Sequence, residues 1–370
     1  MSDGLIKAIS FILFICIGVL LKNKFRVKEE INGIKKIILL LALPATIFIA
    51  LLKIELNTSF VLLPFLVLAF NVFLYLITPA LLIILGITNK STVNTAKLLI
   101  PSLAPGLSCF PFILEFLGES YLAKAAMGDL GNKFFVLFIL YLIAIQWFYK
   151  NQKSAQEPLQ KKLKSLAKVL VLEPVNVLII LALILVSFKI TLLDLPEFLQ
   201  DNLNRLSGIM TPLVLLFIGL AVSIKRKQFG QIFSLLMLKY GISLLLIGII
   251  VSFVNFPVKN DILLMLAFGL SACSFWPFAH ISSIDAKEID VADNKKTFNS
   301  GFALSVLALS LPISVLLILS IFMSGDTFTS ASHIFTLAIL IMFIGIAGPL
   351  YNWSKHGAQI KKRYSHAENK

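Results

Sequence analysis

Long apolar runs separated by short polar segments dominate this chain and restrict it to a membrane-embedded fold. A helix rises about 1.5 Å per residue, so about 20 apolar residues cross the hydrocarbon core of a bilayer. About eleven runs approach that length. They cover residues 5–21, 37–52, 60–87, 98–117, 134–149, 170–188, 207–224, 232–254, 262–282, 302–323 and 333–351. The sequence therefore predicts an all-α polytopic transmembrane helical bundle surrounded by the lipid bilayer.

The net charge of +14 comes from Lys and Arg residues that lie mainly in the polar gaps between the apolar runs. If the N-terminus is outside, most of the 33 basic residues fall on the cytoplasmic side, as the positive-inside rule requires. We therefore expect a multi-pass protein of the cell (inner) membrane with an external N-terminus and a cytoplasmic C-terminus. This pattern explains the positive charge without nucleic-acid binding, which we do not expect.

The residue types that carry enzyme chemistry form no recognisable pattern. Cys16, Cys109 and Cys273 lie inside apolar runs, with no CxxC spacing and no Cys/His cluster. This argues against a disulfide framework and a zinc site. The sequence contains no Walker, GxSxG or HExxH motif, so it indicates neither an enzyme nor an ATP-driven pump. We expect no cofactor and no metal.

A polar stretch at residues 150–168 divides the chain into two groups of five predicted helices. An odd number of helices inverts the second group relative to the first, which is the arrangement of an inverted repeat. We predict a first repeat at 1–149, a cytoplasmic linker at 150–168 and a second repeat at 169–323. An extra transmembrane helix and a basic cytoplasmic tail follow at 324–370.

The fourth and ninth predicted helices contain residues that interrupt a regular helix. Residues 106–112 read GLSCFPF and residues 269–278 read GLSACSFWPF, so both combine Gly-Leu-Ser, Cys and an aromatic-Pro-Phe end. The fourth helix also contains Pro101 and Pro105. Each proline removes an amide donor and clashes with the preceding turn. Broken helices at matching positions of two repeats indicate a transport site, although such prolines also kink membrane helices for packing alone.

The order of several segments resembles the auxin efflux carrier family of membrane transporters. The N-terminal part contains FILFICIGVLLKNK, INGIKKIILL and LALPATIFIALLKIEL, and the second half opens with EPVNVLIILALILVSFKI and LPEFLQDNLNRLSGIMTPLVLLFIGLAV. The resemblance covers about residues 5–323 and implies ten core helices in two inverted five-helix repeats. It also implies a scaffold of helices one, two, six and seven. Helices four and nine would cross while unwound at Pro111 and Pro277, and the substrates would be organic anions such as auxin or small dicarboxylates.

Two features depart from the family pattern. Family members often have an Asn and a Gly-Leu-Pro near the first crossing, whereas this chain has no Asn between Ala104 and Pro111. The substrate is therefore left open. The eleventh helix is additional to the ten-helix plan. The sequence leaves open whether its role is packing or homodimer formation.

The candidate site residues come from the two interrupted helices and from polar positions inside the membrane. The substrate-binding candidates are Pro111, Pro277, Ser108, Ser274, His280, Gly106 and Asn71. The coupling candidates are Glu115 and His280, with proton and sodium coupling both open. The alternatives are a neutral His280 bonded to a carbonyl, Glu115 at the outer interface and Asn71 as interhelical glue. We expect Lys239 to extend toward the inner surface and Glu173 to mark the start of the sixth helix.

These observations favour a secondary transporter, a permease that moves a small organic anion by alternating access at the crossed helices. The free amides of a half-helix N-terminus attract anions, so two such ends suit a carboxylate. A sodium-coupled symporter of the bile-acid type is one alternative, but the Glu, Asn and Gln cluster it would need is missing from the crossing. A membrane receptor or sensor that binds a ligand without transporting it is the other alternative.

Overall fold

A computed structural model describes residues 3–25, 27–53, 58–152, 159–221, 229–292 and 295–348, and the regular elements within these ranges are helices. In chain order they are α1 (Asp3–Leu21), α2 (Glu29–Leu52), α3 (Thr58–Ile84), α4 (Lys90–Leu99), α5 (Phe110–Leu117), α6 (Glu119–Gln152), α7 (Leu159–Leu172), α8 (Pro174–Ser187), α9 (Glu197–Ala221), α10 (Phe229–Phe253), α11 (Lys259–Gly269), α12 (Phe275–Asp285), α13 (Ser300–Met323) and α14 (Ala331–Gly348). A short helix, Pro105–Ser108, lies between α4 and α5. The predicted all-α polytopic bundle is confirmed.

Seven of the described helices are long and apolar enough to cross a membrane, namely α2, α3, α6, α9, α10, α13 and α14. The other predicted spans are shorter or interrupted. α1 contains a shorter apolar helix, and α7 and α8 meet at a bend of 65°. The predicted fourth span consists of α4 and α5, and the predicted ninth span consists of α11 and α12. By length and composition, this is a multi-pass membrane protein.

Four helices begin at least eight residues earlier than the predicted spans that they open. α2 begins at Glu29, α4 at Lys90, α6 at Glu119 and α9 at Glu197, whereas the apolar runs begin at 37, 98, 134 and 207. The added part of α6 contains Asp129 and Lys133, which are buried inside the protein. Charged residues lower the hydropathy of a segment, so hydropathy predicts that they lie outside a membrane span. In this protein, neighbouring groups supply hydrogen-bond and ion-pair partners to both side chains.

The predicted linker at 150–168 is partly helical. α6 continues to Gln152 and α7 begins at Leu159, while 153–158 lie outside the described residues, as does the predicted basic tail beyond 348. Glu173 directly precedes α8 in an extended conformation, which confirms its predicted place at the start of the sixth span. The bend follows from Pro174, because proline suits the first turn of a helix and disfavours a helical residue before it.

Small residues bring α1 and α9 into close contact. α1 packs along the Met210–Ala221 part of α9, where Gly18 and Gly219 face each other's backbone. A Cβ atom at Gly219 would overlap the Ile15 carbonyl, and one at Gly18 would overlap the Leu216 carbonyl. Close backbone approach through glycine is typical of helix pairs in membranes.

The additional helix α14 packs against α10. Phe335 and Met342 of α14 lie against Gly248 and Gly241 of α10. Because glycine has no side chain, α10 leaves room at these two positions for the large side chains of α14. The eleventh span is therefore packed onto the bundle within the described chain.

Candidate functional site

The predicted fourth and ninth spans are each interrupted by a short unwound segment. The first break covers residues 100–104, after α4, and the second break covers residues 270–274, between α11 and α12. Pro101 and Pro105 remove two amide donors at the first break. At the second break, the Ser274 hydroxyl accepts a hydrogen bond from the Trp276 amide, and this N-cap starts α12.

The two breaks lie against each other and exchange hydrogen bonds. The Ala104 amide donates to the Ala272 carbonyl at 2.8 Å, and the Ala272 amide donates to Ser108 Oγ at 3.0 Å. The Ser274 amide donates to Ser102 Oγ, also at 3.0 Å. Unwinding frees backbone groups that are costly to leave unpaired away from water. Each break supplies partners to the other.

Side chains from α6 and α13 hold corresponding positions of the two breaks. Asn132 of α6 accepts a hydrogen bond from the Leu103 amide at 3.2 Å and donates to the Leu103 carbonyl at 2.9 Å. Ser310 of α13 accepts a hydrogen bond from the Cys273 amide at 3.2 Å. Leu103 and Cys273 are each the last residue but one of their break. A polar side chain from the next span in the chain therefore fixes each break.

Lys239 of α10 lies at the junction of the two breaks and is fully buried. Its Nζ lies 3.4 Å from the Ser102 carbonyl, 3.2 Å from the Ser271 carbonyl and 3.5 Å from Cys273 Sγ. The ammonium thus donates to both breaks. The prediction that Lys239 extends toward the inner surface is wrong, because unwound backbone offers a buried ammonium carbonyl partners that a regular helix keeps for itself.

A large open cavity reaches the two breaks. It has a volume of about 1060 Å³ and is lined by the first half of α2, the bend between α7 and α8, part of α6, and residues at the ends of both breaks. Its polar and charged lining residues are Glu29, Asn32, Lys35, Lys36, Asp129, Asn132, Lys133, Ser165, Lys168, Glu173 and Ser274. A second cavity of about 300 Å³ is lined by α9 and α13 and shares Lys35, Ala104, Leu107 and Phe275 with the first. A small organic molecule fits in the larger cavity.

Lys35 of α2 is half-buried where the two cavities adjoin. Its Nζ lies 4.1 Å from the centre of the Phe275 ring, and it forms no ion pair within the described ranges. Phe275 is the first residue of α12. The amides of Phe275, Gly106 and Leu107 have no hydrogen-bond partner in the part of the chain that the structure describes. A cation and three residues with unpaired amides therefore line one cavity.

A buried ionic cluster forms the wall of this cavity at α6. Lys133 Nζ lies 3.1 Å from a Glu173 carboxylate oxygen and 3.6 Å from a carboxylate oxygen of Asp129, one turn back. Lys133 also donates to Asn176 Oδ1 at 3.0 Å, and Asn132 Nδ2 donates to Asp129 Oδ1 at 2.8 Å. The cluster links α6 to α8 and, through Asn132, to the first break.

The predicted substrate-binding residues are distributed over several environments. Gly106 and Ser274 line the larger cavity, and Ser108 lies at the junction of the two breaks. Pro111 and Pro277 lie in the first turns of α5 and α12. The unwound segments are therefore N-terminal to these two prolines.

The remaining candidates do not line the larger cavity. Asn71 is fully buried and donates from Nδ2 to Asn132 Oδ1 at 3.0 Å. His280 is buried, and its Nε2 lies 3.0 Å from the Val136 carbonyl. Glu115 lies 3.6 Å from Lys7 Nζ, and both side chains are well exposed. Neither coupling candidate lines this cavity.

Sequence reasoning missed Lys35, Lys239 and the pair Asp129 and Lys133. The signal for the pair was the segment GDLGNK, in which an acid, an amide and a base lie within one turn of an otherwise small and apolar stretch. That composition suits a buried polar face better than a loop. For Lys35, the sequence offered no signal, because Lys36 and the nearby basic linker look alike.

Comparison with known proteins gives a partial relative. No family model matches the chain. Over 214 residues, the chain is 29% identical to a protein from Methanocaldococcus jannaschii that is named an uncharacterized transporter. The match covers 56% of this chain and 65% of the archaeal protein, so the chain spans less than two thirds of that relative. Together with the apolar helical bundle, this similarity supports a transporter-like, multi-pass membrane protein.

Proposed function

We propose that this chain is a secondary transporter that carries a small organic anion, a carboxylate, through the cavity at the two breaks. The archaeal relative is named a transporter, and the segment order resembles the auxin efflux carrier family. Residues 1–149 and 169–323 act in this proposal as two inverted repeats whose fourth helices meet at the breaks. Substrate binds there, and the cavity opens alternately to the two sides of the membrane.

The position and charge of Lys35 are the observation that favours an anion as the substrate. Its ammonium has a phenyl ring and no carboxylate beside it among the described residues, so its charge is available to a ligand. Gly106, Leu107 and Phe275, whose amides are unpaired within the described chain, line the same cavity. A carboxylate accepts hydrogen bonds from an ammonium and from amides, and such charge-assisted bonds are short and strong.

The direction in which the cavity opens follows from the charge distribution. The cavity is lined by residues 29–43 and 165–175, which adjoin the basic segments that the positive-inside rule assigns to the cytoplasm. The structure would then represent an inward-open state of an inner-membrane protein with an external N-terminus.

Thermal-shift measurements on the purified protein test the binding step. Acetate, lactate, succinate and indole-3-acetate serve as probes, since a ligand that binds the folded state raises its unfolding temperature. We expect at least one carboxylate to stabilise the wild type and to lose this effect in Lys35→Gln. Lys53→Gln is the matched control, because Lys53 lies at the far end of α2 in an exposed pair with Glu119. Stabilisation by neutral amides of the same shape, unchanged in Lys35→Gln, would exclude the anion site.

A further inference from the structure

The buried cluster at Asp129 is short of one positive charge. Two carboxylates, Asp129 and Glu173, surround one ammonium, that of Lys133. Asp129 is only 7% exposed, so water cannot compensate its charge fully. An uncompensated buried charge is costly, and the cost falls when the site binds a positive charge.

The same cluster is short of one hydrogen-bond donor. The partners of Asn132 fix which of its amide atoms is oxygen and which is nitrogen. Its Oδ1 accepts a hydrogen bond from the Leu103 amide, and its Nδ2 donates to the Leu103 carbonyl and to Asp129. Asn71 must therefore use its Nδ2 to reach Asn132 Oδ1. The Oδ1 atom of Asn71 is then left buried without a partner among the described residues. Most buried acceptors in folded proteins are paired, so an unpaired one calls for a specific explanation.

We propose that Asp129 binds a proton that is transported together with the organic anion, and that Asn71 and Asn132 position this carboxyl group. The proposal rests on the proposed anion transport. One proton supplies the missing positive charge and adds a hydroxyl donor to a cluster in which Asn71 is joined to Asp129 through Asn132. A sodium ion would need several available oxygens, whereas Asn71 Oδ1 is the single buried side-chain oxygen or nitrogen without a partner in the described chain. The proton bonds to a carboxylate oxygen of Asp129 and is released to water on the opposite side.

The charged groups around Asp129 agree with a single proton. Lys133 lies on the same helix, Glu173 faces it from the bend before α8, and the Cys109 thiol is within electrostatic range. α3, which contributes Asn71, contains no charged residue, and neither does the first break. The charged residues on the other walls of the cavity are Glu29, Lys35, Lys36 and Lys168. A neutral Asp129 leaves Lys133 paired with Glu173, and the buried cluster is then balanced.

Asn132 connects the proton to the anion cavity. It bonds to Asp129 and to both backbone groups of Leu103. The residues that follow Leu103, from Ala104 to Leu107, line the cavity. Protonation of Asp129 weakens its bond from Asn132, because a neutral acceptor binds an N–H less strongly than a carboxylate does. The position of the first break, and with it the wall of the anion site, then depends on the proton.

Infrared difference spectroscopy on the purified full-length protein tests the site without any substrate. On acidification, the difference spectrum of the wild type should contain a protonated-carboxyl band beyond those of the exposed carboxylates. This band should be lost in Asp129→Asn and kept in Glu119→Gln, whose residue lies at the exposed start of the same helix. Asn71→Leu should shift the pH at which this band appears. If the band persists in Asp129→Asn, the proposal is overturned. If Asp129→Asn does not fold, an unshifted band in Asn71→Leu overturns it.

Uptake into proteoliposomes tests the coupling. With radiolabelled lactate and succinate as probes, an inward proton gradient should accelerate uptake by the wild type and by Glu119→Gln. Asp129→Asn should lose this acceleration. Acceleration by a sodium gradient instead of a proton gradient would overturn the proposal. If the Asp129 band titrates but neither carboxylate is taken up, protonation of Asp129 is supported while anion transport, and with it the coupling, is refuted for these probes.

Discussion

Ser102 Oγ accepts a hydrogen bond from the Ser274 amide at 3.0 Å, although the two residues are 172 positions apart in the chain. The same hydroxyl donates to the Leu99 carbonyl at 2.6 Å. One serine thus joins the end of α4 to Ser274, the N-cap of α12. The junction of the two breaks is therefore held by side chains as well as by backbone.

Ser102→Ala should destabilise the protein because it leaves the buried Ser274 amide unpaired. An unpaired buried donor costs about 1–3 kcal/mol, so we expect a clearly lower unfolding temperature of the purified protein. Ser320→Ala is the control, since Ser320 is exposed and bonds only within its own helix. Equal unfolding temperatures for the two variants would argue against the junction as described.

Lys239→Met should lower the free energy of unfolding more than the loss of any exposed lysine does. Methionine fills a similar volume but donates nothing, so the Ser102 and Ser271 carbonyls lose a shared ammonium donor. At about 1–3 kcal/mol for each unsatisfied carbonyl, we expect a loss of about 2 kcal/mol or more in the free energy of unfolding. Lys259→Met is the matched control, because Lys259 forms an exposed pair with Asp326. Denaturant unfolding of both variants measures the difference, and a neutral Lys239→Met would show that the breaks do not need the ammonium.

The position of the breaks was only partly predictable from sequence. Prolines identified the fourth span as interrupted, because each one removes a donor. The similarity between residues 106–112 and 269–278 is misleading in register, since Gly106 lies after the first break while Gly269 ends the helix before the second. At the second break, a serine cap and partners on α13 and α10 hold the unwound chain. Such partners are distant in sequence, so a local pattern cannot show them.

The polar network was missed for a related physical reason. Hydropathy treats Asp129 and Lys133 as signs of a loop, because an isolated charge is costly in lipid. The cost falls when the charges meet each other and Glu173, which lies just before α8 and is distant in sequence. Lys239 was assigned to the surface by the same reasoning. The helices were predictable from composition, whereas the partners that allow buried charges inside them required the folded arrangement.

Cysteine labelling tests the predicted topology. Cys16 is the exposed native cysteine within the described chain, while Cys109 and Cys273 are buried, so Cys16→Ser gives a suitable background. A cysteine that replaces Ser165 should react only from the cytoplasmic side, and one that replaces Asp326 only from outside. Labelling of both from the same side, or in the reverse sense, would contradict an external N-terminus and the inverted repeat.

Anion transport through the cavity is tested most directly by uptake of radiolabelled carboxylates into proteoliposomes. The measurement compares the wild type with Lys35→Gln and Lys35→Arg. We expect uptake by the wild type and by the charge-conserving Lys35→Arg. In Lys35→Gln, the carboxylate concentration that gives half-maximal uptake should rise about tenfold or more. The reason is that a charge-assisted hydrogen bond contributes about 1.5–3 kcal/mol to binding. Uptake with the same half-saturation in Lys35→Gln as in the wild type would contradict the assigned site. Binding without uptake by any variant would make the protein a receptor instead of a transporter.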